Sequence, residues 1–349
     1  MLWKRARSVP ELCADVTAAM DRLDGRAATR AGRDAARAVL KGAGQADLDE
    51  GLARLLPSVQ RTAFGNGPGL VQLVAGLIEA GADPVPALPT LVGRVTDGLE
   101  LAARFPAVAE RMGGRPSVPN SAREANAVLE RVRAAGAGLG IDRNQANLIM
   151  QAWFTANDWI PGLLLPLQQK RARRALAGRE RLIAATRAVL EHAEDAVWLL
   201  GLLRVLDDER LTVVYRPTGA VFEVKMSGVG DNTQLDTLLA SVLLGGQLPG
   251  EPPRLAWVEA ATTAPLARLE IWAHFAATDA IGRRVRDEGR PADIPVVGGR
   301  RIIVLDAPDH IRAWTFGRSY PLMYPEIHLD RRLPADEAAT VHDLIRPAS

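Results

Sequence analysis

Leu211-Thr212-Val213-Val214-Tyr215, the link Arg216-Pro217-Thr218-Gly219, and then Phe222-Glu223-Val224-Lys225-Met226 decide the fold of this chain. Both flanking runs are rich in β-branched and aromatic residues, and the second alternates apolar with polar at the period of a strand. Pro217 presets a turn, and Gly219 supplies the left-handed residue that restores register. The alternation turns Phe222, Val224 and Met226 inward and leaves Glu223, Lys225 and Ser227 to water. Nothing before about Asp207 reads this way. Upstream, apolar residues recur at helical spacing for some two hundred positions, broken by Gly and Pro. The expected class is therefore α+β. A largely all-α region over residues 1–206 precedes a smaller module over 207–349, with two hairpins, a mostly antiparallel sheet and covering helices.

Working outward from the first hairpin, Asp231 with Gln234 caps a helix carrying Leu235, Leu238, Leu239 and Val242. Leu255-Ala256-Trp257-Val258 reads as a third strand. Pro265 to Val285 alternates at Leu269, Ile271, Ala273 and Phe275, but its length and alanine content favour a helix. Ile294 to Leu305 folds back at Gly298-Gly299 as a second hairpin, and Pro334 to Ile345 is a closing helix.

The front portion carries explicit start and stop signals. Ser8 with Glu11, Ser121 with Glu124 and Asp142 with Gln145 are capping pairs. Gly81 followed by Asp83-Pro84 ends the helix of Leu70, Leu73, Val74, Leu77 and Ile78. Arg26 to Gly44, rich in Ala and Arg, reads as a weakly anchored and mostly exposed helix. Pro166 to about Leu206 reads as one long helix, basic at its start and apolar at its end.

The bulk numbers exclude more than they assign. The chain has 349 residues, 48% hydrophobic and 24% charged, enough for two globular cores. A net charge of +2 gives no general attraction to nucleic acid or anionic lipid, so nucleic acid and membrane are not expected partners. Only Lys4, Lys41, Lys170 and Lys225 are lysines among 43 basic residues. With abundant Ala, this points to a GC-rich bacterial genome and leaves few candidates for lysine chemistry. The single cysteine, Cys13, lies beside Leu12 on an apolar helix face and reads as packing. No apolar signal core or bilayer-length span is apparent, so the expected location is the cytoplasm.

The search for chemistry is mostly negative. The five histidines stand too far apart in sequence for a helical metal pair, and none follows an acidic residue by three positions. Glu191-His192-Ala193-Glu194-Asp195 reads as a solvated acidic turn and Asp207-Asp208-Glu209 as a polar helix-to-strand turn. Gly136 to Gly140 and Gly65 to Gly69 are inter-helix turns, because no strand precedes either and neither carries a P-loop Lys-Ser/Thr. No cofactor or metal is assigned. Lys170-Arg171-Ala172-Arg173-Arg174, with Arg179 and Arg181, reads as a solvated basic helix face, since no aromatics are interleaved to stack bases.

Asp306 to His328 is the richest segment, with Tyr320, Tyr324 and three prolines along an irregular path. Its catalytic candidates are His310 or His328 as general base near neutral pH, Arg318 as an anion holder, and Tyr320 beside them. Two functional expectations follow. The first is a non-catalytic protein acting through contact with another protein, or with a second copy of itself. The alternative is an enzyme tailoring a small molecule or peptide in the C-terminal module.

Overall fold

The computed structural model describes residues 7–264, 269–308, 313–316 and 318–346, with backbone only at 269–271 and 313–316. The chain divides into two compact units, Met1–Leu203 and Arg204–Ser349. The first is helical and the second combines a mixed sheet with helices, so the fold is α+β.

In the helical unit, α1 (Val9–Asp21) packs on both α2 (Gly25–Leu40) and α3 (Gln45–Arg61), and α4 (Pro68–Glu79) packs on α2 and α3. The capping pair at the start of α1 forms as expected: Glu11 N donates to Ser8 Oγ, and Ser8 N donates to a Glu11 carboxylate oxygen at 2.8 Å. Gly81 takes φ +120 after α4 and lets Ala82 N bond Leu77 O. The helix over the Ala/Arg-rich stretch is α2, which buries only Ala28 and Ala35. Beyond it come α5 (Leu88–Ala102), α6 (Phe105–Arg111), α7 (Ala122–Ala137) and α8 (Arg143–Trp159). Asp142 and Gln145 form the capping box that starts α8. Phe105, stacked on Trp153 at 4.7 Å, joins Val108, Val132 and Ile149 in one core cluster.

The single long helix expected from Pro166 to Leu206 does not form. Short α9 (Pro161–Leu164) leads into α10 (Lys170–Arg174), α11 (Arg179–Arg187) and α12 (Ala196–Leu203). Gly178 takes a left-handed φ of +71 and separates α10 from α11, and residues 188–195 are turns. His192 and Asp195 therefore do not share a helix face.

The second unit opens on β1 (Glu209–Tyr215) and β2 (Ala220–Ser227), the expected hairpin, with Tyr215 opposite Ala220 and Gly219 at φ +68. Next come α13 (Asn232–Leu243), capped by Asp231, and α14 (Leu255–Thr262). The latter corrects the strand expected at Leu255: the run has no alternation and continues into Ala260 and Ala261, which prefer helix. The expected helix over Pro265 to Val285 is also overturned. Alternation prevails there, giving β3 (Leu269–Trp272) and β4 (Ala276–Asp279). The second hairpin forms from β5 (Val296–Val297) and β6 (Arg300–Asp306), with Gly298 and Gly299 both at positive φ. It is followed by β7 (Ala313–Phe316), β8 (Glu326–Arg332) and α15 (Ala335–His342).

The main sheet runs β4-β6-β1-β2-β8, with β5 also on β6, and a two-stranded ribbon joins β3 to β7. Every pairing is antiparallel except β1 with β6. Phe222, Val224, Met226, Leu211 and Val213 share one core cluster with Leu235, Leu238 and Leu239 of α13. Val214, Val221, Ile302 and Val304 lie on the other face with Val341 of α15. The second covered face corrects the expectation that Glu223 and Ser227 meet water, since both are buried and only Lys225 is exposed. Glu223 is tolerated there because Arg300 and Arg331 reach its two oxygens at 3.0 and 2.9 Å. The Arg331 hydrogen bond, followed by that of Arg300, holds its carboxyl below the ordinary range.

Candidate functional site

The Asp306–His328 segment distributes its candidates among different partners. His310 lies outside the described residues. Arg318 is buried, and its guanidinium donates to Thr262 O at 3.0 Å and Ala264 O at 2.7 Å, at the C-terminal end of α14. A cation at the carbonyl end of a helix complements the helix dipole. These donors are thus engaged by backbone rather than aimed at a ligand, and Tyr324 covers the group at 5.2 Å. Tyr320 is buried with its hydroxyl 3.5 Å from Arg290 Nη1, and burial raises its phenol pKa above the ordinary value. His328 is exposed on β8, opposite Lys225 of β2.

Tyr320 borders a polar centre at the start of α13. Asp231 accepts from Gln234 N at 2.8 Å and from Ser319 Oγ at 3.4 Å. Burial raises its carboxyl pKa against the lowering effect of these bonds and of Arg290. Gln234 ties Gly230 N to Ala261 O, at 2.7 and 2.6 Å. Asn232 donates to Arg286 O at 2.8 Å, while its own buried side-chain oxygen has no partner among the described residues. The arrangement fixes α13 against the 286–293 loop. A carboxyl with a raised pKa near a tyrosine hydroxyl is the chemical type of pair that exchanges protons.

One turn further along α13, Asp236 accepts from His274 N and Phe275 N at 3.0 and 3.1 Å and meets His274 Nδ1 at 3.0 Å. Trp257 sits edge-on to this imidazole at 5.8 Å. A carboxylate that orients imidazole is one half of a general-base device. Among the described residues no hydroxyl or thiol bonds the other ring nitrogen of His274. Sequence reading missed this pair because its members are 38 residues apart and neither lies in a local motif.

The helical unit holds a concave site that the motif search also missed. A groove of about 580 Å³ opens between α1, α2 and α4. Its cause is the composition of α2. Gly25, Thr29, Gly32 and Ala36 follow steps of four, three and four along one helix face, with Ala28 and Arg33 beside them, and most are too small to fill the space they face. Val16, Ala28, Leu70 and Leu73 are buried and form an apolar floor, while Thr29, Arg33, Asn66 and Gln72 are exposed and form a largely polar rim that also carries the exposed Leu23. The only available signal was that α2 lacks large inward residues.

The basic run at 170–181 is solvated only in part: Arg171, Arg174 and Arg181 are exposed as expected, whereas others turn inward. Arg173 is buried and donates to Leu167 O and Gln168 O at 2.9 and 2.8 Å. Arg179 donates to Leu203 O at 3.0 Å and to Arg173 O. Arg181 bridges Asp97 and Glu100 at 2.8 and 2.6 Å, and Arg171 meets Asp83 at 3.3 Å. Cys13 is buried as expected, and desolvation pushes its thiol up to about 11.

Among the described residues no group of three or more His, Cys, Asp or Glu could hold a metal, and no helix is long and apolar enough to cross a membrane. No protein-family model, curated protein or solved structure matches the chain.

Proposed function

We propose that this is a binding protein that acts through contact with another protein, with the groove of α1, α2 and α4 as its docking surface. The groove itself carries the reading. An apolar floor inside a polar rim is the anatomy of a protein-recognition patch. Its position against a helix that contributes only two buried alanines gives a partner something the chain does not use for its own core. The second reading, an enzyme acting in the C-terminal unit, draws on Asp236–His274 and on Asp231 beside Tyr320.

Gly32→Leu tests the first reading. A Cβ at Gly32 meets nothing within 4 Å, so the new side chain starts from open space in the groove lining. Replacing Gly in a helix by Leu also favours the helix by roughly 0.5–1 kcal/mol. Panning a displayed library of single-helix peptides on the wild-type chain should enrich binders that Gly32→Leu fails to retain. Enrichment that is equal on the two proteins, or absent on both, would refute the docking reading. Catalytic turnover abolished by His274→Ala would instead favour the enzyme.

A further inference from the structure

We infer that the groove takes one class of occupant: an amphipathic helix of a partner protein whose apolar face is flanked by Asp and Glu on the side that meets α2. The inference rests on the docking reading above and adds the partner's shape and charge.

Shape comes first. The lined stretch of α2 runs from Gly25 to Ala36. At 1.5 Å per residue this is about 17 Å, or three helical turns, long enough for anchors at i, i+4 and i+7 of an incoming helix. The site is concave, so it complements a convex rod better than a flat bilayer.

Charge comes second. Arg26, Arg30, Arg33 and Arg37 recur at steps of four, three and four, forming one stripe along α2. At about 100° per residue this stripe lies directly beside the groove face centred on Gly25, Gly32 and Ala36, and Ala28 and Ala35 are buried on the opposite flank. All four arginines are exposed. Arg37 meets Asp34 at 3.5 Å, whereas Arg26, Arg30 and Arg33 have no ion-pair partner among the described residues. Like charges at these spacings oppose each other. A row of carboxylates along the groove would relieve that repulsion and fix the orientation of the docked helix.

The experiment uses the full chain and two sub-libraries with randomised apolar anchors, one with Glu and one with Lys at the flanking positions. The Glu-flanked pool should be enriched at least tenfold over the Lys-flanked pool at low salt, with the ratio falling towards one in 0.5 M NaCl. The Arg30→Glu/Arg33→Glu double variant should reverse the preference. Binding blocked by Gly32→Leu but indifferent to flank charge would overturn the acidic-helix assignment and leave the docking reading standing. Absence of any binding blocked by Gly32→Leu would overturn both. Recovery of the chain on phosphatidylserine vesicles, with neither pool enriched, would overturn the inference in favour of a membrane surface.

Discussion

Replacing Gly67 by Ala should destabilise the helical unit through one ring. Gly67 is the N-cap residue just before α4, next to Asn66 at the groove's rim, with ordinary helical dihedrals of φ −84 and ψ −25. Backbone strain therefore does not enter. A Cβ there would lie 2.0, 2.6 and 2.8 Å from Cζ2, Cη2 and Cε2 of Trp159. The indole cannot simply swing away: its Nε1–H donates to Phe64 O at 3.0 Å, it packs edge-on to Phe64 at 5.5 Å, and Arg94 lies 5.4 Å from its centre. Forcing a methyl into a filled site costs about 1–3 kcal/mol. Displacing the ring enough to break its hydrogen bond adds about 0.5–1.5 kcal/mol. Restricting the unfolded chain returns about 0.4–1 kcal/mol. The net expectation is a loss of about 0.5–4 kcal/mol, read from urea unfolding followed by far-UV circular dichroism. Trp159→Phe removes the atoms that collide. In that background Gly67→Ala should cost nothing or stabilise slightly, so the double-mutant cycle should show a coupling of about 1.5–4.5 kcal/mol. Gly67→Ala within 0.5 kcal/mol of wild type, or equally costly in both backgrounds, would refute this account of why a glycine stands there.

Two further outcomes follow from buried ionisable groups. Cys13, with its thiol pushed up to about 11, should resist iodoacetamide at pH 8 in the native protein and react fully once urea unfolds α1; rapid native alkylation would contradict the packing. Asp231 has a raised carboxyl pKa, so the native state favours its protonated form. Its contribution to stability is fully present below the ordinary carboxylate value and is lost as pH rises through the raised one. Asp231→Asn keeps a capping oxygen and removes the ionisation penalty. The variant should match or exceed wild type in urea unfolding at pH 7 and lose that advantage by about pH 3. A deficit at pH 7 that closes at low pH would reverse the sign and refute the burial argument.

The fold was legible where its determinants are local. The cap Ser8 needs only Glu11, and the turn at Gly298-Gly299 needs only the two residues that take positive φ. Residues 255–285 show where local cues conflict: alanine content argued for helix, yet the alternation through Leu269, Ile271 and Phe275 prevailed because partner strands β7 and β6 complete the sheets. Those partners lie tens of residues away. Distance also hid the second covered face, since the burial of Glu223 depends on Arg331 and on α15. The candidate sites were less legible still. Asp236 and His274 meet only in three dimensions, and the groove consists of volume that small residues leave empty. A motif search looks for side chains and passes over their absence.

Arginine content alone misdirects in this chain. The densest basic run, Lys170 to Arg174 with Arg179 and Arg181, is where an anion-binding reading naturally falls, yet acceptors are close at hand there. Leu167 O, Gln168 O and Leu203 O receive guanidinium groups, and Asp97 and Glu100 meet Arg181. On α2 the balance differs. Asp34 is the helix's only carboxylate, and it meets Arg37, leaving Arg26, Arg30 and Arg33 without ion pairs among the described residues. What separates the two sets is the supply of acceptors around them. A guanidinium bound to a backbone carbonyl inside its own unit stabilises that unit and has few donors left for a partner. An exposed row without acceptors is only hydrated, and displacing that water for carboxylates costs little where the charges already repel one another. By that criterion the charge available for recognition lies along α2, beside the groove, although the sequence is most basic elsewhere.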